Sequence, residues 1–119
     1  MKKKTTMIAI LLLVLALLGA CGRKNTDSGK LKVVTTIFPV YDWVKEILGS
    51  ELDNTELTIL LDNGADLHSY QPTVDDIVTI STCDVFIYIG GESDAWVEDV
   101  LKEATNKDLI AINLMDALG

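Results

Sequence analysis

The chain is poor in the residues that several functions require. It has 10 Lys+Arg against 18 Asp+Glu, a formal net charge of −8. All 18 acidic residues lie beyond residue 20, whereas Lys2, Lys3 and Lys4 lie before it, so the rest of the chain is more acidic than the whole. Nucleic-acid binding draws its affinity from Lys and Arg neutralising phosphates, and this balance disfavours it; cations are the more natural ligands. There are two cysteines, Cys21 and Cys83, and one histidine, His68. Neither a Cys-x-x-Cys pair nor a nucleophile elbow nor a His paired with a nucleophilic serine is recognisable, so catalysis has little to stand on and the chain does not read as an enzyme. Its one long apolar run, Met7 to Leu18, spans 12 residues, short of the roughly 20 that cross a bilayer. At 119 residues there is room for one small domain.

The apolar run has the length of a signal-peptide core and follows a basic stretch, Met1 to Thr6. It ends in Leu18-Gly19-Ala20-Cys21, which resembles the bacterial lipobox. The expectation is a lipoprotein signal over residues 1–20, cleavage ahead of Cys21 and lipidation of that thiol, which places the protein at the extracytoplasmic face of a cell membrane. A plain signal or an uncleaved anchor is the other reading. Residues 21–30 then form the lipidated Cys and a flexible tether, since residues 22–30 hold no apolar side chain to bury. With Cys21 lipidated, Cys83 has no internal partner and reads as a small buried filler.

From residue 31 the pattern alternates strand and helix. Leu31 to Ile37 is rich in β-branched residues and ends at Phe38-Pro39, where proline closes a strand and opens a helix. Val40, Trp43, Val44, Ile47 and Leu48 then recur at helical spacing up to Gly49, a stripe expected to lie on a sheet. Further strands are expected at Glu56–Leu61, Asp84–Ile89 and Leu109–Ile112. Helices are expected near Thr73–Thr82, with a weaker stripe of Val74, Ile77, Val78 and Ser81, and near Asp94–Thr105, with Val97, Val100, Leu101 and Ala104. Strands separated by helices imply an α/β domain over residues 31–119, a four-stranded parallel sheet with flanking helices.

Such sheets bind ligands at the carboxyl ends of their strands. The longest loop there runs from Asp62 to Pro72 and carries His68, the leading site candidate. A lone loop histidine is either a solvated or capping residue or a metal ligand. Asp62 and Asp66 either add negative potential beside it or act as solvated turn formers. Gly90-Gly91-Glu92-Ser93 has the placement of a phosphate loop but lacks its glycine spacing and its lysine, and Glu92 and Asp94 stand where a phosphate would sit. Asp94 reads instead as an N-cap for the last helix.

Three stretches carry a family resemblance: Val34-Thr35-Thr36-Ile37-Phe38-Pro39-Val40-Tyr41-Asp42, Gly64-Ala65-Asp66-Leu67-His68-Ser69-Tyr70-Gln71-Pro72-Thr73, and Gly90-Gly91-Glu92-Ser93-Asp94-Ala95-Trp96-Val97. Together they resemble the N-terminal lobe of the zinc/manganese substrate-binding lipoproteins of bacterial ABC importers, the Gly-x-x-x-His-x-Tyr-x-Pro element being the most specific piece. The resemblance implies that His68 is the first metal ligand, that further histidines and a carboxylate come from later sequence, and that an ABC permease in the membrane is the partner. Zinc is the implied metal, with manganese as the other choice. Leu67 stands where proline is common in the family, and Cys83 where alanine is usual. The larger departure is length. The family has two lobes with the metal held between them, and this sequence stops at Gly119, so the expectation is an N-terminal fragment or truncated product with the second lobe absent and the metal site incomplete. The competing functional expectation is a membrane-anchored α/β adhesion or partner-binding module without high-affinity metal binding.

Overall fold

A computed structural model describes residues 29–62, 64 and 66–119. The proposed signal over residues 1–20 and Cys21 lie outside the described residues. Four strands, β1 (Leu31–Ile37), β2 (Thr55–Leu61), β3 (Val85–Tyr88) and β4 (Ile110–Asn113), form one sheet in the order β2-β1-β3-β4, every pairing parallel. This is the expected four-stranded parallel sheet with flanking helices, α1 (Phe38–Leu48), α2 (Val74–Thr82), α3 (Val97–Lys102) and the short α4 (Leu114–Leu118).

β1 is central because it can be buried on both faces: Val33, Val34, Thr35 and Thr36 are all inaccessible, and the two threonines add β-branched shape with little bulk. The Thr35 hydroxyl donates to the carbonyl of Thr58 on β2, 3.3 Å away. The chain turns one way from β1 to β2 and the other way from β2 to β3 and β4. With right-handed crossovers this reversal puts α1 on one face and α2 with α3 on the other. On the second face Val34, Ile80, Cys83, Phe86, Val97 and Val100 make the core. Burying each of its larger apolar side chains contributes about 1.5–3 kcal/mol before conformational entropy is set against it. Burial, and secondarily the carboxylate of Asp84, pushes the Cys83 thiol up to about 11. It is the inert filler its position suggested.

The α1 stripe is only half used. Val40 is buried and Val44 and Leu48 are partly so, but Trp43 and Ile47 stay exposed, Ile47 at 84%. The helix rests on β1 and β2, and β2 is an edge strand, so one flank of the stripe has no further strand beneath it. Pro39 sits in its first turn, and Gly49, at φ 50°, ends it by donating its N–H to the carbonyl of Lys45.

On α2 the inward face differs from the expected one. Val74 and Val78 point outward, and the inward side runs from the partly buried Asp76 to the buried Ile80 and Cys83. Ile77 is exposed as well, and of the expected stripe Ser81 alone faces inward. Ser81 Oγ donates to Thr105 Oγ1 at 3.0 Å and accepts the Thr105 N–H at 2.8 Å, so it can be buried without an orphaned hydroxyl. The last helix is also shorter than expected. Glu92–Asp94 is a separate 3-10 turn, α3 begins at Val97 with Trp96 at its N-cap position, and it ends at Lys102. Asp94 is therefore no N-cap of α3. Val97, Val100, Leu101 and Ala104 nevertheless face inward as their spacing requires. Among the described residues no helix is long and apolar enough to cross a membrane.

Candidate metal site

His68 lies in the loop between β2 and α2, at the carboxyl edge of the sheet. Asp66, Leu67, His68 and Ser69 make one tight 3-10 turn over Leu67–Ser69. The turn closes because Asp66 accepts from the residues after it: its carbonyl from the Ser69 N–H at 3.1 Å and the Ser69 hydroxyl at 3.2 Å, and its Oδ1 from the His68 N–H at 3.0 Å. This is N-capping by a carboxylate at the start of a helical turn. The same Oδ1 stands 3.2 Å from His68 Nδ1. Donation by the His68 backbone, then by its ring, holds the Asp66 carboxyl below the usual carboxylate range. The imidazole is 84% exposed. Leu67 is half-buried and gives the turn a foothold.

Downstream, the loop is fastened to the fold at two points. The Tyr70 hydroxyl donates to Asp76 Oδ2 at 2.8 Å, and the same oxygen accepts from the backbone N–H and the hydroxyl of Thr73, each at 2.8 Å. Thr73 Oγ1 in turn accepts the Asp76 N–H at 3.2 Å, completing a capping box at the start of α2. Burial works against the ionised Asp76, but the donors from Thr73 and Tyr70 outweigh it and its carboxyl sits below its ordinary value. Burial, reinforced by the neighbouring carboxylate, pushes the Tyr70 hydroxyl well up, so it remains a donor. The Tyr70 ring meets Trp96 edge-on with centroids 5.7 Å apart, and Trp96 leans on Phe86 at 6.4 Å. The histidine loop is thus keyed to α2 by hydrogen bonds and to the β3–α3 loop by an aromatic contact worth about 0.5–1.5 kcal/mol beyond its area.

The β3–α3 loop turns inward. Asp94 is 3% exposed and its Oδ2 accepts the Gly90 N–H at 2.8 Å, while Oδ1 and the Trp96 indole nitrogen have no protein partner. The amide a phosphate would need is taken by a carboxylate, which supports the sequence-based reading against nucleotide binding. At the third loop, an open hollow of about 610 Å³ is lined by Ile37, Phe38, Pro39, Tyr41, Ile59, Leu61, Asp62 and Gly64. It is largely apolar, and His68 is not part of its lining.

Of the residues singled out from sequence, the structure brings Asp66 to His68 and leaves Asp62 apart, exposed in that hollow. Sequence reading missed Tyr70, Asp76 and Trp96 as the loop's supports. A Thr-x-x-Asp pattern at Thr73 and Asp76 was the available signal. Among the described residues no group of three or more His, Cys, Asp or Glu side chains could hold a metal ion. A histidine gives a metal one ring nitrogen and zinc takes about four donors, so the remaining donors of such a centre would lie elsewhere.

Comparison with known proteins adds an independent line. The profile of the family described as "ZnuA: Zinc-uptake complex component A periplasmic" matches residues 33–118. The zinc-binding protein AdcA of Streptococcus pyogenes serotype M3 is 37% identical over 84 residues, covering 71% of this chain and 16% of that protein. The zinc-binding lipoprotein AdcA of Streptococcus pneumoniae serotype 4 is 30% identical over 112 residues, covering 94% of this chain and 21% of its own length. The crystal structure of the Zn(II)-bound ZnuA-like domain of Streptococcus pneumoniae AdcA superposes with a TM-score of 0.61 at 30% identity, over 71% of this chain and 31% of that one. The chain therefore spans about a fifth or less of the length of these two curated relatives.

Proposed function

The chain belongs to the ZnuA family of zinc-uptake components, and on that premise we propose that residues 31–119 form the first lobe of an extracytoplasmic metal-binding protein that delivers zinc to an ABC permease. In this reading His68 is one zinc ligand and the remaining donors lie outside the described residues. No covalent bond is made or broken, so the protein is a binding component and not an enzyme. Residues 1–20 act as the export signal, Cys21 carries the lipid, and residues 21–30 are the tether that leaves the lobe near the membrane. The relative named as a zinc-binding lipoprotein supports the anchor.

One observation carries the reading: the only histidine of the chain is displayed on a fastened turn at the ligand-binding edge of a parallel sheet, with its ring open to solvent. A core histidine would be enclosed, and one serving only as a cap would not need the second support from Tyr70. Imidazole favours zinc over manganese, which prefers oxygen donors, and the acidic surface raises the local concentration of cations. The lobe therefore acts as a rigid support presenting one nitrogen, at about 2.0–2.1 Å from the metal when bound.

The test is a calorimetric zinc titration of the protein carrying this chain in its longest reading frame, beside its His68→Ala variant. A large loss of affinity with an unchanged melting temperature is expected. Equal affinity in the two proteins removes His68 from the site.

A further inference from the structure

We propose that Asp66 is a positioning residue for His68: its carboxylate holds the proton on Nδ1 and thereby leaves Nε2 as the nitrogen that meets the metal. The inference rests on the zinc-binding reading above and goes one step past it, from which residue binds to which atom does.

The geometry supports it as follows. A single oxygen, Asp66 Oδ1, accepts the His68 backbone N–H at 3.0 Å and lies 3.2 Å from Nδ1 of the same residue. The first bond fixes the carboxylate relative to the backbone that carries the imidazole. The second can form only if Nδ1 bears a hydrogen, because a carboxylate oxygen has none to give. In a neutral imidazole the other nitrogen then holds the lone pair. Two contacts from one atom also fix the direction of the ring, which would otherwise be free on a side chain 84% exposed. Leu67, between the two residues, is half-buried, so the turn cannot swing freely. Losing a carboxylate partner behind a metal-binding imidazole typically costs 10–100-fold in affinity. Engaged in this way, Asp66 supports the ligand and is not itself the next donor.

His68 is the sole histidine of the chain, so its ring nitrogens can be read without assignment ambiguity. The experiment is a long-range proton–nitrogen correlation spectrum at pH 8 of the 119-residue chain, for the proton, and of the protein carrying this chain in its longest reading frame during titration with zinc chloride, for the metal, each on the parent and on Asp66→Ser, with His68 assigned against His68→Ala. Serine keeps a backbone-capping oxygen for the turn and removes the carboxylate. In the parent, Nδ1 is expected to carry the proton and the coordination shift to appear on Nε2. In Asp66→Ser the amide protection of the turn persists, the ring reverts to the Nε2–H form that free imidazole favours, and zinc affinity falls about 10-fold. A proton on Nε2 in the parent, or a coordination shift on Nδ1, overturns the proposal. His68→Ala in the same zinc titration separates the two levels. If it leaves zinc affinity unchanged, the metal-binding reading itself fails. If it weakens binding while Asp66→Ser does not, only the positioning role of Asp66 fails.

Discussion

Two neighbouring loops at the carboxyl edge of the sheet use aspartate in opposite ways. In the β3–α3 loop Asp94 is buried and pulls the chain inward onto the Gly90 N–H. In the β2–α2 loop Asp66 is exposed and bends the chain so that His68 projects outward. The first carboxylate is part of the fold, because an unpaired amide in that position has no access to water. The second is exposed, so its loss leaves the His68 N–H to water and buries no unpaired group. Tyr70 and Trp96 join the two loops, one ring from each, so the inward loop steadies the outward one. In the proposed reading the same residue type is thus structural in one loop and functional in the other, according to what surrounds it.

The sharpest way to break this contrast is at Gly90. It has φ +95°, and a methyl group there would come within 2.8 Å of the Asn113 amide carbon, whose side chain caps α4 by accepting from the Met115 and Asp116 N–H groups. Gly90→Ala combines backbone strain with a clash and should cost about 2–5 kcal/mol in urea unfolding. A loss below about 1 kcal/mol would show that the inward loop yields easily. Next comes Asp94→Ala, which leaves the Gly90 amide buried without a partner and should cost about 1–3 kcal/mol by the same measurement.

Tyr70→Phe removes the donor to Asp76 and should cost about 1 kcal/mol, with faster amide exchange over Asp66 to Tyr70. This link also depends on pH. The folded-state value of Asp76 lies below its unfolded one, so its contribution is fully present above the unfolded carboxylate value and is lost as the pH falls through the folded one. Amide protection at Thr73 and Asp76 should therefore decline on acidification, and less steeply in Tyr70→Phe. The smallest stability effect belongs to His68→Ala, within about 0.5 kcal/mol of the parent, because the side chain is exposed and its backbone keeps the Asp66 cap. A large loss there would make His68 a structural residue and dissolve the contrast.

Periodicity was a good guide where side chains are apolar and enclosed. The Val97, Val100, Leu101 and Ala104 stripe faces inward as its spacing requires, and Leu31 to Ile37 is the strand its β-branched residues announce. It misled on α2, where Ser81 faces inward as its spacing requires but Val74, Ile77 and Val78 remain outside and Asp76 is drawn partly inward by Tyr70 and Thr73. A hydropathy pattern scores aspartate as a solvent residue and cannot register a partner 6 positions away. Asp94 was misplaced for a related reason: an acidic residue before an apolar stripe has the form of an N-cap, but its carboxylate turns back to Gly90. At the site, the loop and its histidine were legible from strand order and the rarity of histidine, and the closeness of Asp66 to Nδ1 was not.

What the sequence by itself determined was the alternation of strands and helices, the parallel sheet they imply, the acidic balance and the placing of one histidine at the ligand-binding edge. These follow from local shape and composition, which act over a few residues at a time. Tertiary structure alone decided which carboxylate is enclosed and which is displayed, which flank of each helix meets the sheet, and which nitrogen of His68 lies beside Asp66. Those outcomes depend on hydrogen-bond partners and enclosure supplied by distant segments, and so exist only once the chain has packed.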